Sequence, residues 1–163
     1  MKILILSDSH ASLSFMRRCI EVTRPQAVIH LGDFYNDGAA MQEEFFHIPF
    51  YQVPGNCDLY RGYIPDAETR LIELDGVRLL ITHGHRHGVK QTLHRLLADA
   101  RASRAQGALF GHTHIGLCQQ EADGLWVVNP GAASWGGSAA LMVTQPGRIV
   151  SCGLLRPEDI KDL

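Results

Sequence analysis

Five short apolar segments of this chain each run directly into polar residues of the kinds that bind metal ions. The segments are residues 2–7, 27–31, 48–53, 77–82 and 107–110. The polar residues that follow them are, in chain order, Asp8 and His10, Asp33, Asn56, His83 with His85 and His87, and His112 with His114. In open α/β sheets, the loops that follow the carboxyl ends of the strands form the ligand crevice. We therefore expect five loops to bring these side chains together at one edge of a sheet.

The apolar pattern predicts a single α/β domain over residues 1–163, a length that suits one core. The first strand segments are apolar without alternation, which is typical of strands covered on both faces. Apolar spacing predicts helices at residues 15–23 and 89–100, and a second short helix is expected near 38–46. Hairpin turns are predicted at Asp75-Gly76, Asp123-Gly124 and Pro146-Gly147. This order places crossover units first and antiparallel strands later.

The composition excludes several classes of function. The formal net charge is −2, so no basic field attracts nucleic acid, and general nucleic-acid binding is not expected. The four cysteines form no Cys-x-x-Cys pair, which disfavours a disulfide scaffold and a redox role. No apolar stretch approaches the roughly 20 residues that a bilayer crossing needs, so no membrane partner is expected. Free thiols and the lack of a signal-peptide pattern predict a cytoplasmic protein.

The chemistry of the strand-end residues indicates a metal site. In Asp8-Ser9-His10 and His112-Thr113-His114 the paired residues are two apart, so both can face one cluster from an extended segment. Glycines at positions 32, 55, 84 and 111 allow sharp turns beside a crowded site. A set of carboxylate, carboxamide and imidazole ligands without thiolate suits Mn²⁺, Fe²⁺, Co²⁺, Ni²⁺ or Zn²⁺ better than Ca²⁺. Each motif alone is weak, and their common position after strands carries the prediction.

The motifs "SDSH", "GD", "GNCD", "THGH" and "GHTH", in this order, resemble those of the calcineurin-like metallophosphoesterases. The cysteine in "GNCD", the short chain and the segment "NPGAAS" resemble in particular the small YfcE-type phosphodiesterases. The resemblance spans nearly the whole chain. It implies a four-layer αββα sandwich, in which two mixed β-sheets are flanked by helices.

The resemblance also implies a centre of two divalent metal ions, with Mn²⁺ as the first candidate and Ni²⁺, Zn²⁺, Fe²⁺ or Co²⁺ as alternatives. One ion is assigned to Asp8, His10, Asp33 and His114. The other is assigned to Asp33, Asn56, His83 and His112, so that Asp33 bridges the two. In this reading Asp33, Asn56 and His83 are catalytic, and a metal-bridged hydroxide attacks the phosphorus of a small phosphate ester in line. The natural substrate stays open.

Three further residues are assigned to positions outside the metal ligands: Cys57, Asp58 and His85. Many relatives have a histidine in place of Cys57 that is thought to protonate the leaving group, and a thiol with a pKa near 8.5 is a poorer acid at pH 7. A preference for phosphodiesters, or for esters with good leaving groups, is therefore expected. Asp58 is expected to accept a supporting hydrogen bond, His85 to contact substrate or support the ligands, and His87 to be a solvated loop residue.

Other readings of the same residues remain open at this point. The family includes a trafficking subunit that uses the fold as a binding platform, so a non-catalytic scaffold or protein-interaction subunit is the main alternative. A metal hydrolase acting on a different class of substrate is a second. Relatives often associate, so a homo-oligomer is also left open.

Overall fold

The structure is a computed structural model that describes residues 1–60, 67–134 and 136–161. Its strands are β1 (Lys2–Leu6), β2 (Ala27–His30), β3 (Phe50–Gln52), β4 (Thr69–Leu74), β5 (Val77–Thr82), β6 (Gly107–Leu109), β7 (Leu117–Gln120), β8 (Trp126–Asn129), β9 (Ala139–Gln145) and β10 (Arg148–Leu155). Its helices are α1 (Leu13–Thr23), α2 (Tyr35–Glu44), α3 (Asn56–Tyr60), α4 (His94–Ala102) and α5 (Pro157–Lys161). Within these ranges, no helix combines the length and hydrophobicity that a bilayer crossing requires.

The strands form two mixed five-stranded sheets. The first has the order β10-β9-β1-β2-β3, and the second has the order β4-β5-β6-β8-β7. In the first sheet β1, β2 and β3 run parallel, while β9 pairs antiparallel with β1 and β10. In the second, β5, β6 and β8 run parallel, and β4 and β7 pair antiparallel at the edges. The predicted sequence of crossovers followed by hairpins is confirmed.

The sheets pack against each other, and helices cover their outer faces. Alternate residues of β1 show why its sequence is apolar throughout: Ile3 and Ile5 lie in the cluster between the two sheets, whereas Leu4 and Leu6 pack toward α1. A third cluster joins the outer face of the second sheet to α4 through Leu96. Each such buried aliphatic side chain stabilises the fold by about 1.5–3 kcal/mol. The predicted αββα sandwich is confirmed.

The third predicted helix is wrong at its start. The spacing indicated a helix from residue 89, but α4 begins at His94 and residues 85–91 form turns. The Gly84 carbonyl accepts the N–H of His87 at 3.0 Å, and Gly88 has φ 66°, which a right-handed helix does not accommodate. Val89 is nevertheless buried. The apolar pattern therefore predicted its burial correctly, although the residue lies in a turn and not in a helix.

The cysteines also differ from expectation in one respect. No pair was expected to have a useful spacing, but Cys118 of β7 and Cys152 of β10 both pack against the cluster between the two sheets, where their thiols are electrostatic neighbours. Burial raises the pKa of both thiols. Both therefore remain protonated at neutral pH, and neither is a ready nucleophile or metal ligand.

Candidate metal centre

The five predicted loops meet at one edge of the sandwich. The loop after β1 bonds to the loop after β2 through the Asp8 N–H and the Gly32 carbonyl, 2.9 Å apart. The loops after β5 and β6 are joined by the Gly111 N–H and the His83 carbonyl, 3.1 Å apart. The two sheets are joined where the His112 N–H donates to Asp8 Oδ2 at 3.1 Å. All seven predicted ligand residues lie on these loops or on the start of α3.

Asp8 has one oxygen engaged and one unpaired. Its Oδ2 accepts the Ser7 hydroxyl at 2.5 Å in addition to the His112 N–H. Its Oδ1 is buried and has no hydrogen-bond partner among the described residues, although His114 Nε2 lies 3.0 Å away and His83 Nε2 3.9 Å away. A buried carboxylate oxygen without a donor is costly, and a cation between it and the imidazoles removes that cost.

Asp33 lies between the two sides of the cluster. Its Oδ1 is 3.5 Å from His83 Nε2 and accepts the Cys57 N–H at 2.9 Å, while its Oδ2 is 4.0 Å from His10 Nε2. Burial alone would raise the pKa of this carboxyl, but the neighbouring His83 and the bonds from Cys57 outweigh burial and lower the pKa. Asp33 is therefore ionised at neutral pH, with one oxygen directed to each side.

His83 is fully buried and held in one tautomer. Its Nδ1 lies 2.7 Å from the Leu31 carbonyl, which can only accept, so Nδ1 carries the proton of the neutral ring. Nε2 then presents a lone pair, and it faces Asn56 Oδ1, another acceptor, at 3.1 Å. Two lone pairs converging with two carboxylate oxygens fit a metal ion, and the Leu31 carbonyl supplies the outer support that metal-bound histidines typically have.

The remaining histidines, His10, His112 and His114, lie beside the residues described above. Ligand atoms of Asp8, His10, Asp33 and His114 all lie within 4.8 Å of one another, a spacing that could hold a metal ion. His112 stacks edge-on against His83 with ring centroids 5.0 Å apart. Burial, followed by the neighbouring His83, lowers the pKa of His112 to about 4. Its imidazole is therefore neutral at pH 7 and available to a cation.

The backbone of the site is strained where the ligands lie. Asp8, His10, Asp33, His112 and His114 all have positive φ, between 43° and 67°. Non-glycine residues in this region cost of order 1 kcal/mol or more each, and such residues concentrate at functional sites. Composition and periodicity gave no signal for this feature.

Gly111 explains how the two sheets come so close at the site. A Cβ atom at this position would lie 2.0 Å from Ser7 Oγ and 2.8 Å from Asp8 Oδ2. The close approach of the β6 loop to Asp8 therefore requires glycine.

Cys57 and Asp58 lie next to the ligands on α3. Burial, followed by a hydrogen bond to Asp33, raises the pKa of the Cys57 thiol to about 11. Asp58 accepts the N–H of Gly55 at 2.8 Å and that of Tyr35 at 2.9 Å, which ties the Asn56 turn to the start of α2. The expected supporting role of Asp58 has a clear structural basis, and α3 itself was not predicted.

His85 and His87 have different environments. The His85 ring lies beside both His83 and His112, with Nε2 3.2 Å from Glu68 Oε2, so it borders the cluster. Burial, followed by the neighbouring His83, lowers the pKa of His85. The expectation that His87 is solvated is wrong: only 7% of it is exposed, and its Nε2 pairs with Asp99 Oδ2 at 3.1 Å, which holds the turn against α4.

Sequence reasoning missed the residues that support the loops. Ser9, one position from two ligands, donates to Asp37 Oδ2 at 2.7 Å and lies 3.1 Å from His30 Nε2. Asn129 donates to the Gly111 carbonyl at 3.0 Å and to Thr113 Oγ1 at 2.9 Å, which fixes the loop between His112 and His114. These contacts join distant parts of the chain, so local spacing gave no signal for them.

Known proteins are similar to this chain in sequence, and a known family domain matches most of it. Residues 1–145 match the calcineurin-like phosphoesterase superfamily domain. A probable metallophosphoesterase of Bacillus subtilis, YsnB, is 33% identical over 135 residues, which cover 81% of this chain and 75% of that protein. The phosphodiesterase MJ0936 of Methanocaldococcus jannaschii is 30% identical over 145 residues, with 80% and 83% covered.

Solved structures share the fold over almost the full length. A Streptococcus pneumoniae protein described as a predicted phosphoesterase has a TM-score of 0.77 at 24% identity, with 96% of this chain and 90% of that one covered. The Vps29 protein of Entamoeba histolytica in complex with zinc has a TM-score of 0.74 at 20% identity, with 96% and 98% covered. At these identities the likeness shows the fold. The domain match over 145 of 163 residues establishes that this chain belongs to the calcineurin-like phosphoesterase superfamily.

Proposed function

We propose that the protein is a metal-dependent phosphodiesterase whose centre holds two divalent cations. One observation carries the proposal: the Asp33 carboxylate directs one oxygen to His83 and the other to His10, each with further ligand-type atoms around it. We assign Asp8, His10 and His114 to one cation, and Asn56, His83 and His112 to the other. When bound, such a pair of cations acidifies water and stabilises charge on the phosphoryl oxygens.

The charge of the ligand set supports an anionic substrate. Only Asp8 and Asp33 carry negative charge among the seven side chains, and the imidazoles are neutral ligands. Two carboxylates do not neutralise two divalent cations, so the loaded site keeps a positive field for a phosphate group. The site therefore needs no basic surface patch, in agreement with the chain's formal charge of −2.

The chain's own proton donors limit the substrate. Cys57 stands where many relatives have a histidine, and its pKa near 11 makes the thiol a weak proton donor to a leaving alkoxide at neutral pH. His85 borders the cluster, and we propose that it contacts a substrate oxygen. The expected substrates are therefore phosphodiesters, or esters whose leaving group needs little protonation.

The test uses protein stripped of metal and refilled with Mn²⁺, Ni²⁺, Zn²⁺ or Mg²⁺. The expected result is hydrolysis of bis(p-nitrophenyl) phosphate that depends on added metal, with much slower turnover of an alkyl phosphate. Asp33→Asn should abolish the metal-dependent rate, and His94→Asn, a change at an exposed histidine of α4, should not. Metal-loaded protein that leaves every phosphate ester unchanged would instead support a non-catalytic scaffold.

A further inference from the structure

An apolar pocket of about 530 Å³ adjoins the candidate metal centre, and none of the seven candidate ligand residues lines it. Its wall includes Thr113 and Ile115, which flank His114 on the same loop. The opposite wall comes from the segment before α4, up to Leu93. The pocket is lined by Val89, Lys90, Leu93, Phe110, Thr113, Ile115, Gly116 and Leu117. A molecule in this pocket therefore lies directly against the loop that carries His112 and His114.

The pocket wall is held in place by hydrogen bonds. Thr113 Oγ1 accepts Asn129 Nδ2 at 2.9 Å and the Ile115 N–H at 3.2 Å, so the loop is tied to β8. In this conformation Ile115 is 71% exposed, whereas Phe110 at the pocket floor is 2% exposed. A fixed apolar rim next to a polar centre is the arrangement typical of small-molecule sites, which commonly have volumes of about 300–1,000 Å³.

The pocket combines a positive charge at Lys90 with apolar side chains elsewhere in its lining. Lys90 is exposed and is the pocket's one cationic lining residue. Its positive charge is felt by His112, where it acts in the same direction as burial and His83. An occupant that suits both features has an anionic group near Lys90 and the metal centre, and an apolar group among Leu93, Ile115 and Leu117.

We propose that this pocket binds the ester group that remains on the phosphate after hydrolysis, and that this group is apolar and about the size of an aromatic ring. The phosphate would lie at the metal centre, with Lys90 beside one of its charged oxygens. The inference rests on the proposed phosphodiesterase function and adds a substrate class to it: phosphodiesters that carry an aryl or similarly sized apolar group.

The experiment compares methyl p-nitrophenyl phosphate with phenyl p-nitrophenyl phosphate, which both release p-nitrophenolate. The kcat/KM ratio of the phenyl ester to the methyl ester is measured in wild type, Ile115→Ser and Val150→Ser. The intrinsic reactivity of the esters cancels because the same pair is used throughout. Val150 is a matched control, since it is a 47% exposed β-branched residue on β10, outside the pocket. The ratio should fall by about three- to tenfold in Ile115→Ser and stay unchanged in Val150→Ser.

The possible results distinguish a failure of the proposed pocket from a failure of the proposed phosphodiesterase function. An unchanged ratio in Ile115→Ser, with both esters hydrolysed, overturns the pocket and leaves the phosphodiesterase intact. If neither ester is hydrolysed, the proposed function fails. The pocket is then tested by the binding of phenyl phosphate to zinc-loaded protein. Shifts of the Ile115 methyl signals in NMR spectra would then support it, and unshifted signals at saturating phenyl phosphate would overturn it.

Discussion

The two sides of the candidate centre differ in how firmly the protein holds them. On the outer side the side chains of His114 and His10 are 46% and 26% exposed, and both residues have left-handed backbone. On the inner side His83 is fully buried and its Nδ1 is fixed by the Leu31 carbonyl. Asp33 is shared between them. The contrast indicates that the inner side offers a buried and oriented imidazole before metal binds, whereas the outer side presents its imidazoles closer to solvent.

This difference has a consequence for metal exchange. A preorganised set of ligands loses little conformational freedom on binding, so it retains an ion more tightly than a set on exposed loops. We expect the inner ion to survive desalting and the outer ion to exchange with solvent. Substitution of Asp33, which the two sides share, should weaken the binding of both ions.

The largest expected effect follows from Asp33→Asn, which removes the shared charge and retains the shape. Hydrolysis of bis(p-nitrophenyl) phosphate should fall by more than about a thousandfold, because charge stabilisation at the reacting phosphate depends on both sides. Metal content after desalting should fall in parallel. Asp123→Asn, an exposed carboxylate in the turn between β7 and β8, is the control. Full activity in Asp33→Asn would show that the two sides are not coupled through this residue.

The next test separates the two sides. His114→Asn should raise the Mn²⁺ concentration needed for half-maximal activity by about ten- to hundredfold, and excess Mn²⁺ should restore the rate, since the ligand lost is exposed. His83→Asn should lose about a hundredfold in rate that excess Mn²⁺ does not restore, since it also leaves the buried Leu31 carbonyl without its donor. Equal rescue of both variants would remove the distinction between an inner and an outer side.

A smaller change is expected from Cys57→His. An imidazole at this position should speed hydrolysis of an alkyl phosphodiester by about tenfold while changing bis(p-nitrophenyl) phosphate turnover little, because only the alkoxide needs a proton. The measurement is kcat for both esters in wild type and variant. A uniform change in both rates would mean that residue 57 affects the centre in some way other than proton donation.

Gly111→Ala tests the contact between the sheets where the two sides meet. The added Cβ displaces the Ser7 hydroxyl from Asp8 Oδ2, which should cost about 1.5–3 kcal/mol in the free energy of unfolding. Denaturant unfolding of the metal-free protein measures this. Gly153→Ala is the matched control, because a Cβ there has no neighbour within 4 Å. Identical stability of both variants would show that the close approach at Gly111 is not required.

The smallest effect concerns pH in the metal-free protein. The pKa of His112 is about 4 in the folded state against 6.5 for an ordinary histidine, so the unfolded chain binds more protons between these values. His112 therefore makes the fold less stable as pH falls from about 6.5 toward 4. The free energy of unfolding in His112→Asn should decline less over this range than in wild type. Parallel curves would mean that His112 does not resist protonation in the folded state.

The sequence predicted the parts of the molecule that depend on repetition and chain order. Apolar segments of strand length marked β1, β2 and β5, and the hairpin turns followed from Asp-Gly and Pro-Gly pairs. The loops that carry the ligands followed from their position after strands. The start of α4 was misplaced because burial of Val89 in a turn produces the same spacing as burial on a helix.

What could not be predicted depends on contacts between distant residues. The tautomer of His83 is set by a carbonyl 52 positions away, and the loop of His112 is set by Asn129. The left-handed backbone at Asp8 and Asp33 also could not be read from the sequence, since Asp adopts this conformation only occasionally. Such features emerge only when the two sheets meet.

The most direct test of the account is an anomalous difference map from crystals of the protein grown with Mn²⁺. Two peaks are predicted, one beside Asp8, His10 and His114 and one beside Asn56, His83 and His112, with the Asp33 carboxylate touching both. A single peak, or metal bound away from Asp33, would contradict the claim that this residue joins two cation sites.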